Sequence, residues 1–202
     1  MAGGDWLLAL VYMLAPHRLH RRAAREARRL GERILDVGGG AGHLARALAE
    51  DPQGPPRLYV LVDPDPLLVS MAPRGAWVEA VIGVGEALPL RGGAVDVAVF
   101  HDSLHHIPSL GAALREAARV ARCVLVDDID ASRPLGRLVM LLERLAGYPA
   151  AFTMPEALAR ELRGLGLVPR RLRAGGLPGS YMVAACRASL GEGRRRASRG
   201  TG

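Results

Sequence analysis

An apolar run, Ile34-Leu35, ends in Asp36, and the chain then passes through Gly38-Gly39-Gly40-Ala41-Gly42 into a helical pattern starting at His43. Glycines spaced in this way let a backbone turn sharply and come close to another molecule. A helix beginning just after them offers unpaired N–H groups. Here main chain, rather than side chain, is set to meet a ligand. A carboxylate directly before the turn opposes a phosphate and fits a ligand carrying donors or positive charge. A second acid, Asp63, closes the next apolar run, Leu58-Tyr59-Val60-Leu61-Val62. It follows the turn by about the 20 residues expected of a carboxylate that accepts both hydroxyls of a ribose. Its plainer reading is an N-cap for a helix opening at Pro64.

The spacing excludes two common phosphate-binding patterns. Gly-x-Gly-x-x-Gly counted from Gly38 would need a glycine where His43 stands, and a phosphate-binding loop needs a lysine, whereas all 27 Lys+Arg residues are arginine. Other reactive groups follow later apolar runs. His101-Asp102-Ser103-Leu104-His105-His106 comes after Val95–Phe100, and Asp127, Asp128 and Asp130 come after Val124-Leu125-Val126. Histidine titrates near neutrality, which makes His101, His105 and His106 candidate bases; orienting a loop or capping the next helix is the blander role. Adjacent histidines lack the i, i+4 spacing of a helical metal pair, so no metal is expected. The three aspartates fit a cation or basic acceptor, or a helix cap.

These groups require an ordered set of elements. The pattern predicts strands at 33–37, 57–62, 76–82, 95–100 and 123–126, then a closing pair at 168–173 and 181–186. Helices are expected at 42–50, 64–71, 110–120, 134–146 and 155–165, and a helical cap lies within 1–30. Alternating strands and helices imply an α/β domain with a parallel sheet covered on both faces. Ligands in such sheets bind beyond the carboxyl ends of the strands, where each group named above lies. The expected divisions are a cap at 1–30, a ligand-binding domain at 31–190 and a disordered basic tail at 191–202.

The segment Asp36-x-Gly38-x-Gly40-x-Gly42 resembles the first motif of the class I, Rossmann-like S-adenosylmethionine-dependent methyltransferases of small-molecule type. Gly83-Val84-Gly85-Glu86-Ala87-Leu88-Pro89-Leu90 resembles their Gly-Asp-Ala-Glu-x-Leu-Pro-Phe segment, and Leu104-His105-His106 is similar to a Leu-His-His run found in many members. The resemblance implies a seven-stranded, mostly parallel sheet with an antiparallel last strand. It implies S-adenosylmethionine as cofactor, bound by Asp36, Gly38, Gly39, Gly40, Gly42, Asp63, Pro64, Gly85, Glu86 and His101. It also implies methyl transfer to an O, N or C centre, with His105 and His106 as the catalytic candidates. Val84 stands where the family has the aspartate that meets the adenine amino group, leaving the Gly85 N–H and Glu86 nearby. The stretch between Arg137 and Ala151, which shapes the acceptor pocket in a similar bacterial and archaeal subgroup, is short.

The 202 residues, 50% hydrophobic, allow one domain with a buried core. No apolar run is long enough to span a membrane. Trp6–Ala15 is short and lacks a preceding basic segment, so a cytoplasmic protein is expected rather than a secreted one. A membrane-surface role for this segment is the less economical reading beside a lid helix. A net charge of +7 favours acidic partners, but arginine without lysine, with abundant Ala, Gly and Pro, reads as a GC-rich coding bias. The Arg clusters make an RNA acceptor the first alternative; the lack of an Asn-Pro-Pro-aromatic motif, a Pro-Cys nucleophile or an RNA-binding domain argues against it. A non-catalytic cofactor-binding protein is the second alternative. Cys123 and Cys186 fall on strands expected to be antiparallel neighbours, where either buried thiols or a disulfide fits; an intracellular disulfide points to a hyperthermophile.

Overall fold

The computed structural model describes residues 20–145, 147, 151, 153–174 and 179–188. In chain order the elements are α1 (Arg21–Leu30), β1 (Arg33–Val37), α2 (His43–Ala49), β2 (Leu58–Asp63), α3 (Pro66–Met71), β3 (Val78–Ile82) and β4 (Val95–His101). A 3-10 turn (Leu104–His106) follows, then α4 (Leu110–Val120), β5 (Ala121–Ile129), α5 (Pro134–Leu145), α6 (Pro155–Gly164), β6 (Leu167–Leu172) and β7 (Ser180–Arg187). The seven strands form one sheet in the order β3-β2-β1-β4-β5-β7-β6. β7 runs antiparallel to both β5 and β6, and the other pairings are parallel. The order reverses between β1 and β4, which places the switch point beside the glycine turn. Much of the expected cap (residues 1–19) and the basic tail lie outside the described residues.

Strand alternation sorts the core into two layers. Leu35, Val37, Phe100, Val124 and Val126 face α4 and α6, meeting Leu114, Ala117, Leu158 and Leu162. Ile34, Tyr59, Leu61, Val97, Val99 and Leu125 face α1 and α2, meeting Ala23, Ala27, Leu44 and Leu48. The small alanines of α1 let it lie close on the sheet. Two of its arginines form ion pairs, Arg21 with Glu50 and Arg29 with Glu26, each at 2.8 Å, and Arg33 at the start of β1 pairs with Asp96 at 2.7 Å.

Three expectations change. β5 continues to Ile129 because β7 pairs with it through Ile129↔Ser180, so Asp127 and Asp128 lie within the strand, buried, and cap no helix. The helix after β2 opens at Pro66 rather than Pro64. Its N-cap is Asp65, which accepts from the Leu67 and Leu68 N–H groups, so Asp63 is not the cap. β3 begins at Val78, two residues later than expected, and is a half-exposed edge strand.

Cys123 and Cys186 are register partners across β5 and β7 and form a disulfide. Linking positions 63 residues apart restricts the unfolded chain, which the loop-entropy account values at about 4 kcal/mol. Reduction should therefore lower the melting temperature by roughly 10 °C, measured by calorimetry with and without reductant. An unchanged melting temperature would mean that the bond contributes no stability.

Candidate functional site

The glycine turn is held from three strands. Gly38 N–H donates to the Val62 carbonyl at 2.8 Å, Gly40 N–H donates to Asp63 Oδ2 at 2.9 Å, and Ser103 Oγ–H donates to the Val37 carbonyl at 2.6 Å. Gly38, Gly40 and Gly42 all have positive φ. Gly40 is the informative one. At φ 53° a side chain would be strained, yet a Cβ there would meet nothing nearer than Leu68 Cδ1 at 3.9 Å. Its outer face is open to a ligand. Gly39 is constrained from below, since a Cβ would fall 2.7 Å from Asp36 Oδ2.

Asp36 therefore lies beneath the turn. Its carboxylate is 1% exposed and accepts a short hydrogen bond from the Tyr59 hydroxyl. Burial raises its pKa to about 6, against the lowering pull of Tyr59 and His101. Asp36 thus supports the turn from below through the oxygen that Tyr59 bonds.

Asp63 is different. One oxygen accepts from Gly40 N–H and the other from Asp65 N–H at 2.9 Å. Each carboxylate oxygen keeps a second acceptor site. Partial burial raises its pKa, and its two N–H partners oppose that rise. Pro64 is exposed just beyond it. The next strand end lies alongside, with Gly83 N–H donating to the Asp63 carbonyl at 3.0 Å. There Ile82 and Val84 are 59% and 45% exposed, an apolar surface suited to a ring face. Gly85 is buried against Val37 and Ile107. The Glu86 carboxylate accepts from the Ser109 N–H at 3.1 Å, and so anchors the start of α4.

Sequence reasoning missed how the histidines and aspartates combine. Asp127 and Asp128 are adjacent on one strand and so face opposite sides of the sheet. On the α1/α2 side, the Asp127 carboxylate lies 3.2 Å from His101 Nδ1, and His101 Nε2 lies 2.6 Å from His20 Nδ1. His43, first in α2, stacks on His20 at 5.2 Å. Burial would lower the His101 pKa, but Asp127, Asp102 and Asp36 together raise it to about 9. On the α4/α6 side, His105 Nδ1 lies 2.6 Å from Asp128 Oδ1, and His105 N–H donates to Asp128 Oδ2 at 3.2 Å. Glu143 of α5 reaches to 3.7 Å from His105 Nε2. Burial works against a charged His105, but Asp128 outweighs it and raises the pKa. The His106 pKa is lowered by partial burial and then by the charge of His105. The one signal available beforehand was the acidic run after a short strand; its register, and thus the pairing, required β7.

Between the two clusters, Asp102 has φ 50°, and its N–H donates to the Asp127 carbonyl at 2.9 Å. It is the one non-glycine residue with positive φ among those described. A conformation of this kind costs about 1–3 kcal/mol and is held where a site needs it. Two shallow hollows, one lined by Val69, Pro73 and Val78 and the other by Pro155 and Arg163, include none of these side chains in their lining. The site is thus defined by backbone geometry and chemistry, not by depth.

Residues 35–123 match the family model described as a methyltransferase domain. An uncharacterised methyltransferase from Mycobacterium sp. (strain JLS) is 35% identical over 105 residues, covering 50% of this chain and 39% of the relative. The chain thus spans well under half the length of that relative. Among solved structures, a S-adenosylmethionine-dependent methyltransferase from Thermotoga maritima, described as a possible histamine N-methyltransferase, has a TM-score of 0.69 at 20% identity, covering 92% of this chain and 97% of its own. Magnesium protoporphyrin IX methyltransferase from Synechocystis, with bound S-adenosylhomocysteine, has a TM-score of 0.64 at 18% identity, covering 84% of each chain. Residues 35–123 thus match a methyltransferase domain, and the chain shares its fold with S-adenosylmethionine-dependent methyltransferases. Such a domain implies S-adenosylmethionine as its cofactor, and the open glycine turn beside a carboxylate with spare acceptor sites fits that molecule.

His101 gives a prediction. The folded protein holds its proton more tightly than the unfolded chain, whose histidine titrates near 6.5. Its contribution to stability is therefore full below about pH 6.5 and is lost as the pH rises through about 9. Melting temperature should fall across that window in the native protein and fall less in His101→Asn. Parallel curves would show that the His101–Asp127 pair does not retain the proton.

Proposed function

We propose that the protein transfers the methyl group of S-adenosylmethionine to an O, N or C centre of a small molecule. The observation that carries this reading is the open face of Gly40 directly beside Asp63. In this account Asp63 takes the ribose hydroxyls through its spare acceptor sites. Pro64, Val84 and the Gly85–Glu86 segment border the adenine, with an apolar surface in place of a carboxylate. Gly38 to Gly42 bring backbone against the amino-acid part. His101, kept protonated by Asp127, contributes positive charge on the side where that part's carboxylate would lie.

Transfer is an in-line displacement. An acceptor lone pair forms the bond to the methyl carbon while the carbon–sulfur bond breaks, and its electron pair stays on sulfur, leaving S-adenosylhomocysteine. The cofactor brings the reactive group, so this chain's task is alignment. His105 and His106 stand at the carboxyl end of β4, where an acceptor would approach, and are the groups available to take its proton.

The small-molecule reading is favoured over RNA because Arg21, Arg22, Arg28, Arg29 and Arg33 are engaged in ion pairs with acidic groups of the same chain. Among the described residues no helix is long and apolar enough to cross a membrane. A cytoplasmic location is part of this reading; the disulfide is the feature least at ease with it.

Cofactor carrying a labelled methyl group, incubated with a source extract, should label the small-molecule fraction. His106→Ala should reduce that labelling roughly 100-fold, the usual scale for a general base, without weakening cofactor binding. Label in RNA would reassign the acceptor. Label in neither fraction would contradict both enzyme readings and leave a cofactor-binding protein.

A further inference from the structure

The acceptor side of the sheet holds a second set of groups with their own chemistry. His105, His106 and Glu143 each offer one ligand atom, and these atoms all lie within 4.8 Å of one another. Spacing along the chain hides this set, because the third member comes from α5. Adjacent histidines are brought together by the 3-10 turn, with ring centroids 4.0 Å apart. We propose that His105, His106 and Glu143 bind a divalent transition-metal ion of the zinc class.

Four observations support the site. The first is the donor set. Two imidazoles and one carboxylate suit zinc and its neighbours, whereas magnesium and calcium prefer all-oxygen shells. The second is orientation. Asp128 Oδ1, 2.6 Å from His105 Nδ1, fixes the ring so that Nε2 points towards Glu143. A carboxylate behind a histidine in this way sets its tautomer and strengthens it as a ligand. The third is the Glu143 carboxylate, whose side chain is 16% exposed; its Oε2 is enclosed and accepts no hydrogen bond among the described residues. A nearby cation would meet that need. The fourth is distance. A tetrahedral zinc site places its ligand atoms about 3.3 Å apart, given bonds of about 2.0–2.1 Å. His105 Nε2 and Glu143 Oε2 already lie 3.7 Å apart, and the ligand atom of His106 lies within 4.8 Å of both.

Three protein ligands leave a fourth position for water or an acceptor oxygen, the arrangement of catalytic rather than structural zinc sites. The position is at the carboxyl end of β4, so the ion would hold an oxygen-bearing acceptor there. A filled site makes the two imidazoles ligands rather than bases, and metal binding therefore decides between those roles. The metal site rests on these side chains alone; bound metal without methyl transfer would leave it standing.

The test uses the tag-free full chain, stripped with chelator and titrated with zinc chloride by calorimetry, with cobalt(II) absorption as a second readout of four-coordination. One ion per chain is expected. Glu143→Gln and His106→Ala should each weaken binding about tenfold or more, with melting curves of the metal-free variants confirming that they fold. Asp128→Asn should weaken binding by a similar factor without removing a ligand. Absence of binding, or binding unchanged in both Glu143→Gln and His106→Ala, would overturn the site; the latter would place the ion elsewhere, such as at His20, His43 and His101.

Discussion

Three strand ends converge on the glycine turn, and the rest of the molecule is arranged around keeping that convergence in register. Val62 and Asp63 at the end of β2 bind the Gly38 and Gly40 N–H groups, while Ser103 beyond β4 ties down the Val37 carbonyl. Asp36, buried and bonded to Tyr59, fills the space below. A buried carboxylate is tolerable when hydrogen-bonded and costly when its partner is lost. Tyr59 and Asp36 thus form a coupled support, and Gly39 must lack a side chain to sit above it. The turn is pre-formed because its hydrogen bonds are internal, which leaves the outer face of Gly40 free for a ligand.

Sheet alternation then divides the chemistry. Asp127 and Asp128 are neighbours in sequence, yet one serves His101 over α1 and α2 and the other serves His105 beneath α5. The former cluster sets His101 against Asp127 near the turn; the latter brings two imidazoles and Glu143 together at the end of β4. Between them Asp102 takes a left-handed backbone. Residues so close in sequence can act on two separate faces only if the strand register is held. The β5–β7 pairing, reinforced by the Cys123–Cys186 disulfide, provides that.

The fold was legible because its signals are local: apolar runs of strand length, a glycine turn before a helix, and a closing strand pair without a helix between. The position of Asp63 at the end of β2 was legible for the same reason, since its spacing from the turn reflects one strand–helix–strand unit. Other features depended on contacts distant in sequence. β5 reads as four residues in isolation, because Asp127 and Asp128 are poor strand formers until histidines and β7 take them up. The burial of Asp36 was not legible, because a carboxylate before a glycine turn looks the same in sequence whatever lies beneath it; Tyr59, from the next strand, is what meets it. Glu143 gave no signal at all, being the one acid on a mostly apolar helix that also carries Arg137 and Arg144.

The central claim is that the Gly40 face and Asp63 together form the cofactor site, and calorimetric titration with S-adenosylhomocysteine tests it most directly. The account predicts one binding site per chain in the native protein. It predicts roughly 10- to 100-fold weaker binding for Asp63→Asn, the range for losing a charge-assisted hydrogen-bonding partner. Binding of equal strength in the two proteins, or none in the native one, would contradict it.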